Sequence, residues 1–135
     1  MSAFVLDASV AVAAMHSREP HHASSRALVD RVLSGVDSIV VPAVFVTEVV
    51  ASFARRGNHP PATIWAYVDA LVASSTVVTL GPKGARRAAR LAMATRLRAA
   101  DAVYVEAALR EGVPLVTLDG EMHARASGHC HVVAP

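Results

Sequence analysis

The chain has 135 residues, a net charge of +2 and one cysteine, Cys130. That length suits one compact domain, residues 1–135, able to bury a core without disulfides or structural metals. The lone cysteine excludes an internal bridge and points to a reducing, cytoplasmic setting. The apolar share of 53% is high, yet charges and turn residues break every apolar run well short of the roughly 18 residues a membrane span needs.

The opening Met-Ser-Ala-Phe-Val-Leu-Asp has neither a basic n-region nor a long apolar h-region. It reads as a first strand, Ala3–Leu6, rather than a signal peptide. Ser9 is placed to cap a helix reaching about Met15. His21–Leu33 reads as a second helix, ended by Gly35. Ser38–Val41 is a short β-branched run stopped by Pro42, a buried strand. Val46, Val49, Val50 and Phe53 mark a helix over Ala43–Arg56, terminated by Gly57. Pro60-Pro61 opens another, with Ile64, Tyr67, Val68 and Leu71 on one side. Thr76–Leu80 is a third strand, and Gly81-Pro82 leads into an arginine-bearing helix ending near Thr95. Ala100–Glu111 is helical and closed by Gly112 and Pro114. Leu115–Leu118 is a fourth strand, Asp119-Gly120 a turn, and His131–Val133 an edge strand. Strands alternating with helices predict an α/β fold, with a mainly parallel central sheet of four to five strands and helices on both faces.

In open parallel sheets, ligands gather beyond the carboxyl ends of the strands. Asp7 ends the first strand and Asp119 follows the fourth, so two acids far apart in sequence come to one edge of the sheet. Glu48 sits among Val44, Val46, Val49 and Val50, and Asp101 is the one acid near the start of its helix. A carboxylate in an apolar stretch is costly unless paired or bound to a cation. Each acid alone has an ordinary explanation as a cap, an ion pair or a turn; four such placements together point to a site. Glu106 falls five residues after Asp101, about 140° around the helix, and four before Arg110, the order of a surface ion pair. Glu111, Asp69, Asp30, Asp37 and Glu19 have solvated settings, and Glu121, close behind Asp119, stays outside the core site.

Carboxylates crowded in one crevice raise one another's pKa, and a divalent cation relieves the conflict. Hard oxygen ligands suit Mg²⁺ or Mn²⁺. Ser9, two residues after Asp7, serves the site or caps its helix. Thr117, two before Asp119 on the same strand face, supplies a hydrogen bond that orients a carboxylate. Glycine-rich phosphate loops, Gly-x-Ser-x-Gly elbows and paired Cys-x-x-Cys motifs are missing from the sequence. Neither His21-His22 nor His129-Cys130-His131 has zinc-site spacing. Trp65 and Tyr67 read as core or interface residues rather than a base-stacking surface. Arg55-Arg56 and the run Arg86, Arg87, Arg90, Arg96 and Arg98 suit either solvated helix faces or phosphate contacts.

Val5-Leu6-Asp7-Ala8-Ser9, Thr47-Glu48-Val49, Ala100-Asp101-Ala102-Val103-Tyr104-Val105 and Pro114-Leu115-Val116-Thr117-Leu118-Asp119 resemble, in order and spacing, the PIN-domain nucleases. The nearest likeness is to the VapC-type toxins of toxin–antitoxin pairs. The resemblance implies a PIN-like doubly wound sheet and Mg²⁺- or Mn²⁺-dependent cleavage of RNA, with Asp7, Glu48, Asp101 and Asp119 as the catalytic and metal-binding quartet. It also implies a homodimer and a small antitoxin that covers the groove, two interfaces for which the apolar helices between Ala43 and Ala73 are suited. Arg98 stands where many relatives carry Ser or Thr, and Met122 where an aromatic or larger aliphatic residue is common. Neither departure removes an acid, and Arg98 is assigned to RNA phosphate. Two other readings use the same residues: a non-catalytic PIN-like binding module, and a metal-dependent DNA nuclease or phosphatase.

Overall fold

The computed structural model describes residues 2–135. Among these residues five strands, β1 (Ala3–Leu6), β2 (Ser38–Pro42), β3 (Ser75–Val78), β4 (Leu115–Val116) and β5 (Val132–Val133), form one sheet in the order β3-β2-β1-β4-β5. Every neighbouring pair is parallel, with Val5 opposite Val40 on one side and Leu115 on the other. Phe4, Val5 and Leu6 are consecutive and all buried. Successive strand side chains point to opposite faces, so both faces of β1 are covered, as parallel sheets require.

Among the described residues seven helices make the crossovers: α1 (Ala8–Ala13), α2 (His22–Leu33), α3 (Val44–Arg56), α4 (Pro61–Ala73), α5 (Gly81–Thr95), α6 (Ala99–Glu111) and α7 (Gly120–Ala126). Helices α1 to α4 pack on one another, while α5 pairs with α6, which lies along β1, β2 and β4. The core joins Phe4, Leu6, Ile39, Phe45, Phe53 and Leu71 to Tyr104, Leu115 and Met122. Ala102, Ala107 and Ala108 let α6 lie close to the sheet, where it is buried on most sides. Gly57 and Gly112 end α3 and α6 in the left-handed region, where a Cβ is penalised. At the end of α5 that position falls to Arg96, with φ +61°.

The sheet order decides where a site can form. From β1 the chain steps outward to β2 and β3, then returns to place β4 on the other side of β1. The crevice beyond the carboxyl ends of β1 and β4 is therefore the topological switch point.

Most elements follow the sequence reading within two residues, and the differences are instructive. Strand β4 ends at Val116 rather than Leu118, and Asp119 is the N-cap of α7 rather than a simple turn. Its Oδ1 accepts from the backbone N–H of Glu121 (2.8 Å) and Met122 (3.4 Å). Ser9 lies inside α1 rather than capping it, because the helix already starts at Ala8. Glu106 is 2% exposed rather than on the surface. Arg87 and Arg110, at 3.1 and 3.5 Å, close over its carboxylate and supply the charge compensation that burial demands. Asp37 is buried too, paired with Arg31 and accepting from the Ser2 N–H.

Candidate active site

Asp7, Glu48, Asp101 and Asp119 all line one crevice of about 490 Å³ at the switch point, together with Ser9, Arg55, Arg56 and Arg98. Each acid comes from a different element. Asp7 follows β1, Asp119 caps α7 just past β4, Glu48 lies in the second turn of α3, and Asp101 lies in the first turn of α6. All four acids singled out from the sequence are thus brought together, while Glu121 stays exposed on α7, ion-paired to Arg125.

A hydroxyl pair fixes Asp7. Ser9 Oγ donates to its Oδ2 at 2.6 Å and Thr117 Oγ1 donates to the same oxygen at 2.7 Å. A hydroxyl has one proton but can also accept. Ser9 Oγ accepts from the Leu118 N–H at 3.1 Å, and Thr117 Oγ1 from the Asp119 N–H at 3.0 Å. The network therefore clamps the end of β1 to the segment after β4. Both donors converge on one oxygen and leave Oδ1 clear of either hydroxyl. His123 Nε2, 2.8 Å from the Thr117 carbonyl oxygen, holds α7 against the same segment.

Electrostatics set this crevice apart from the ion pairs elsewhere. Burial raises the Asp7 carboxyl, and the charge of Asp119 adds to the rise against the lowering effect of Ser9 and Thr117. Burial likewise raises Glu48, with Asp7 and Asp101 pushing the same way. Burial also raises Asp101; Arg98 opposes the shift, while Asp119 and Asp7 reinforce it. Arg98 Nε lies 3.4 Å from Asp101 Oδ2, but its side chain is 79% exposed, so the pair is weakly held.

Of the further residues at the crevice, Tyr104 carries no role in the sequence reading, Glu19 was placed in a solvated setting, and Arg55-Arg56 were left between solvated faces and phosphate contacts. Tyr104 is fully buried, stands beside Glu48 and tends to stabilise its charged form. Even so, the Tyr104 hydroxyl and Glu48 Oε1 both lack a well-formed hydrogen bond. Its position three residues after Asp101, on the same helix face, was the available signal. Arg55 and Arg56 follow Glu48 by seven and eight residues on α3, two turns along the same face. Arg56 Nη2 reaches Glu19 at 2.7 Å on the crevice rim.

The donor set fits a hard divalent cation: four carboxylates, three raised by burial and mutual repulsion, and a buried Glu48 oxygen with no partner. Among the described residues, no three His, Cys, Asp or Glu side chains stand as a ready-made cage. The acids line a crevice instead, which suits ions held jointly with water or substrate oxygens.

Residues 4–128 match the family model described as "PIN domain". No curated protein sequence matches the chain. Among solved structures, it is similar to VapBC2 from Rickettsia felis, determined with a DNA fragment from the promoter. The TM-score is 0.72 and the identity 12%, over 98% of each chain. It is also similar to PAE2754 from Pyrobaculum aerophilum, with a TM-score of 0.69 and 20% identity over 97% of this chain and 83% of that one. At such identities the two structures speak for the fold. PIN domains are generally nucleases that use divalent metal ions. With the family model spanning nearly its whole length and the parallel 3-2-1-4-5 sheet beneath its acidic crevice, the chain belongs to the PIN-domain family.

Proposed function

We propose that this protein is a divalent-metal-dependent endoribonuclease, the VapC-type toxin of a toxin–antitoxin pair, acting as one PIN-like unit over residues 1–135. The observation that carries the reading is the convergence of Asp7, Glu48, Asp101 and Asp119 on one crevice where burial makes their charges costly. Mg²⁺ or Mn²⁺ held by these four would supply positive charge to a phosphate and lower the pKa of an attacking water. Asp7 is oriented by the Ser9 and Thr117 hydroxyls at Oδ2, so its carboxylate is presented in a fixed direction. Arg55, Arg56 and Arg98 give the crevice a cationic rim suited to RNA phosphates.

The antitoxin partner is supported by the likeness to a VapBC complex. A homodimer is supported by α4, where Trp65 is 49% exposed beside the exposed Ala62, Ala66 and Asp69. A cytoplasmic location fits the single free cysteine. Among the described residues no helix is long and apolar enough to cross a membrane.

The test is cleavage of structured and unstructured RNAs with Mn²⁺ or with EDTA, by the wild type and Asp7→Asn. Cleavage in Mn²⁺ alone, lost in the variant, supports the proposal; cleavage that survives both EDTA and the substitution sinks it. A folded protein that binds no divalent ion in calorimetry would instead favour the non-catalytic binding module. DNA and phosphomonoesters assayed beside RNA separate the nuclease and phosphatase alternatives.

A further inference from the structure

A second cavity of about 440 Å³ opens next to the acidic crevice and shares Glu19 and Arg56 with it. Those two residues are ion-paired at 2.7 Å, so a salt bridge forms the sill between the two spaces. His16 and His59 line the second cavity, with the buried Phe53 in ring contact with both. His16 stacks on Phe53 with ring centroids 5.1 Å apart, and His59 stands nearly perpendicular to both at 5.3 Å.

His16 is 7% exposed, and its Nδ1 lies 2.8 Å from the carbonyl oxygen of Val12. A carbonyl only accepts, so the neutral ring carries its proton on Nδ1 and leaves a lone pair on Nε2. That Nε2 and Nδ1 of His59 are both buried without a hydrogen-bond partner. An unpaired buried polar atom costs about 1–3 kcal/mol, and the acidic site uses neither nitrogen. Both atoms belong to residues that line one cavity, lie just behind its surface and lack a partner within the protein, which points to a ligand reached when a ring turns.

We propose that this cavity is a nucleobase subsite. It receives the base of a nucleotide next to the scissile phosphate, with His16 Nε2 accepting a hydrogen bond from an amino-bearing base. The inference rests on the RNA-cleaving reading of the neighbouring crevice. Single-stranded RNA is read by splayed bases that stack on aromatic or histidine rings and hydrogen-bond along their edges. The cavity volume falls within the range of small-ligand sites. Arg55, Arg56 and Arg98 track the backbone through the crevice, and Arg18 and Asn58 line the second cavity. Base entry requires the His59 ring to turn, because both unpaired nitrogens are closed to water in this state. The ring sits on the short connection between α3 and α4, held by ring contacts and by no side-chain hydrogen bond among the described residues. Uracil places carbonyls on both sides of its ring N–H, and so meets the Nε2 lone pair less favourably than adenine, cytosine or guanine.

The test is an NMR titration of the metal-free protein, following the imidazole signals of His16 and His59. The probes are AMP, CMP, GMP and UMP, with ribose 5-phosphate as the control lacking a base. At least one amino-bearing nucleotide is expected to shift both histidines at concentrations about three- to tenfold below those needed for UMP or ribose 5-phosphate. His59→Ala is expected to weaken that nucleotide by a similar factor and to relax base preference beside the cut in sequenced RNA products. The proposal is overturned if no nucleotide moves the two signals, if ribose 5-phosphate moves them as strongly, or if His59→Ala keeps full base preference. RNA cleavage without nucleotide shifts overturns the subsite alone; shifts without any cleavage of RNA overturn the nuclease reading alone.

Discussion

Thr117→Val removes one hydroxyl at nearly constant volume from a fully buried position. The hydroxyl does two things: it donates to Asp7 Oδ2 at 2.7 Å and accepts from the Asp119 N–H at 3.0 Å. A hydrogen bond to a charged group contributes about 1.5–3 kcal/mol. The orphaned Asp119 N–H adds less than a fully buried donor would, since Asp119 is half-exposed and water can reach it. The expected loss of stability is therefore about 2–4 kcal/mol in urea denaturation of the metal-free protein at pH 7. A double-mutant cycle with Asp7→Ala isolates the first contribution. In the Asp7→Ala background the hydroxyl can turn to Met122 Sδ, 3.6 Å away, or to Ser9 Oγ, 3.5 Å away, both weaker partners. The coupling energy is then about 1–3 kcal/mol. A coupling within about 0.3 kcal/mol of zero, the ordinary scatter for independent sites, would refute the clamp on Asp7.

Other outcomes follow from the same charges. Because Asp7, Glu48 and Asp101 are raised in the folded protein, their contribution to stability is fully present below the unfolded carboxylate value near pH 4. It is lost as pH rises through the folded values. Asp37, held low by its bond to Arg31, works the other way, stabilising above about pH 4 and losing that contribution as pH falls. In EDTA, the urea midpoint of Asp7→Asn should thus exceed that of the wild type at pH 7, with the gap shrinking toward pH 4; parallel pH profiles would contradict this. Arg98→Ala should weaken RNA binding about two- to fivefold, measured by filter binding; unchanged affinity removes Arg98 from the phosphate rim. Arg96→Gly should stabilise the fold by about 0.5–1 kcal/mol, because the residue that caps the end of α5 adopts a left-handed conformation that glycine enters freely; a lower melting temperature would count against that reading.

How much of this was legible in the sequence depends on whether the determining force is local. Strand ends are local, so Asp7 and Asp119 could be sent to one edge of the sheet from apolar runs and punctuation alone. The positions of Ser9 and Thr117, two residues from those acids, were legible for the same reason, though Ser9 proved to serve the carboxylate and not a helix cap. Glu106 was misread because helical phase placed it away from Asp101 without revealing that α5 packs over that other face. There Arg87, 19 positions earlier in the chain, supplies the compensating charge. Helix α7 was read as a turn since Asp-Gly carries the same local signal as a helix cap. The capping bonds to Glu121 and Met122 decide between them. The His16–Phe53–His59 cluster joins residues from three segments and leaves no periodic trace in the sequence.

Calorimetric titration of Mn²⁺ into the metal-free wild type and into Asp7→Asn, Glu48→Gln and Asp101→Asn tests the central claim that these acids form one cation site. Saturable binding to the wild type is predicted, weakened about tenfold or more in each variant. Binding of equal strength in the wild type and all three variants would contradict the claim, as would a folded wild type that takes up no Mn²⁺.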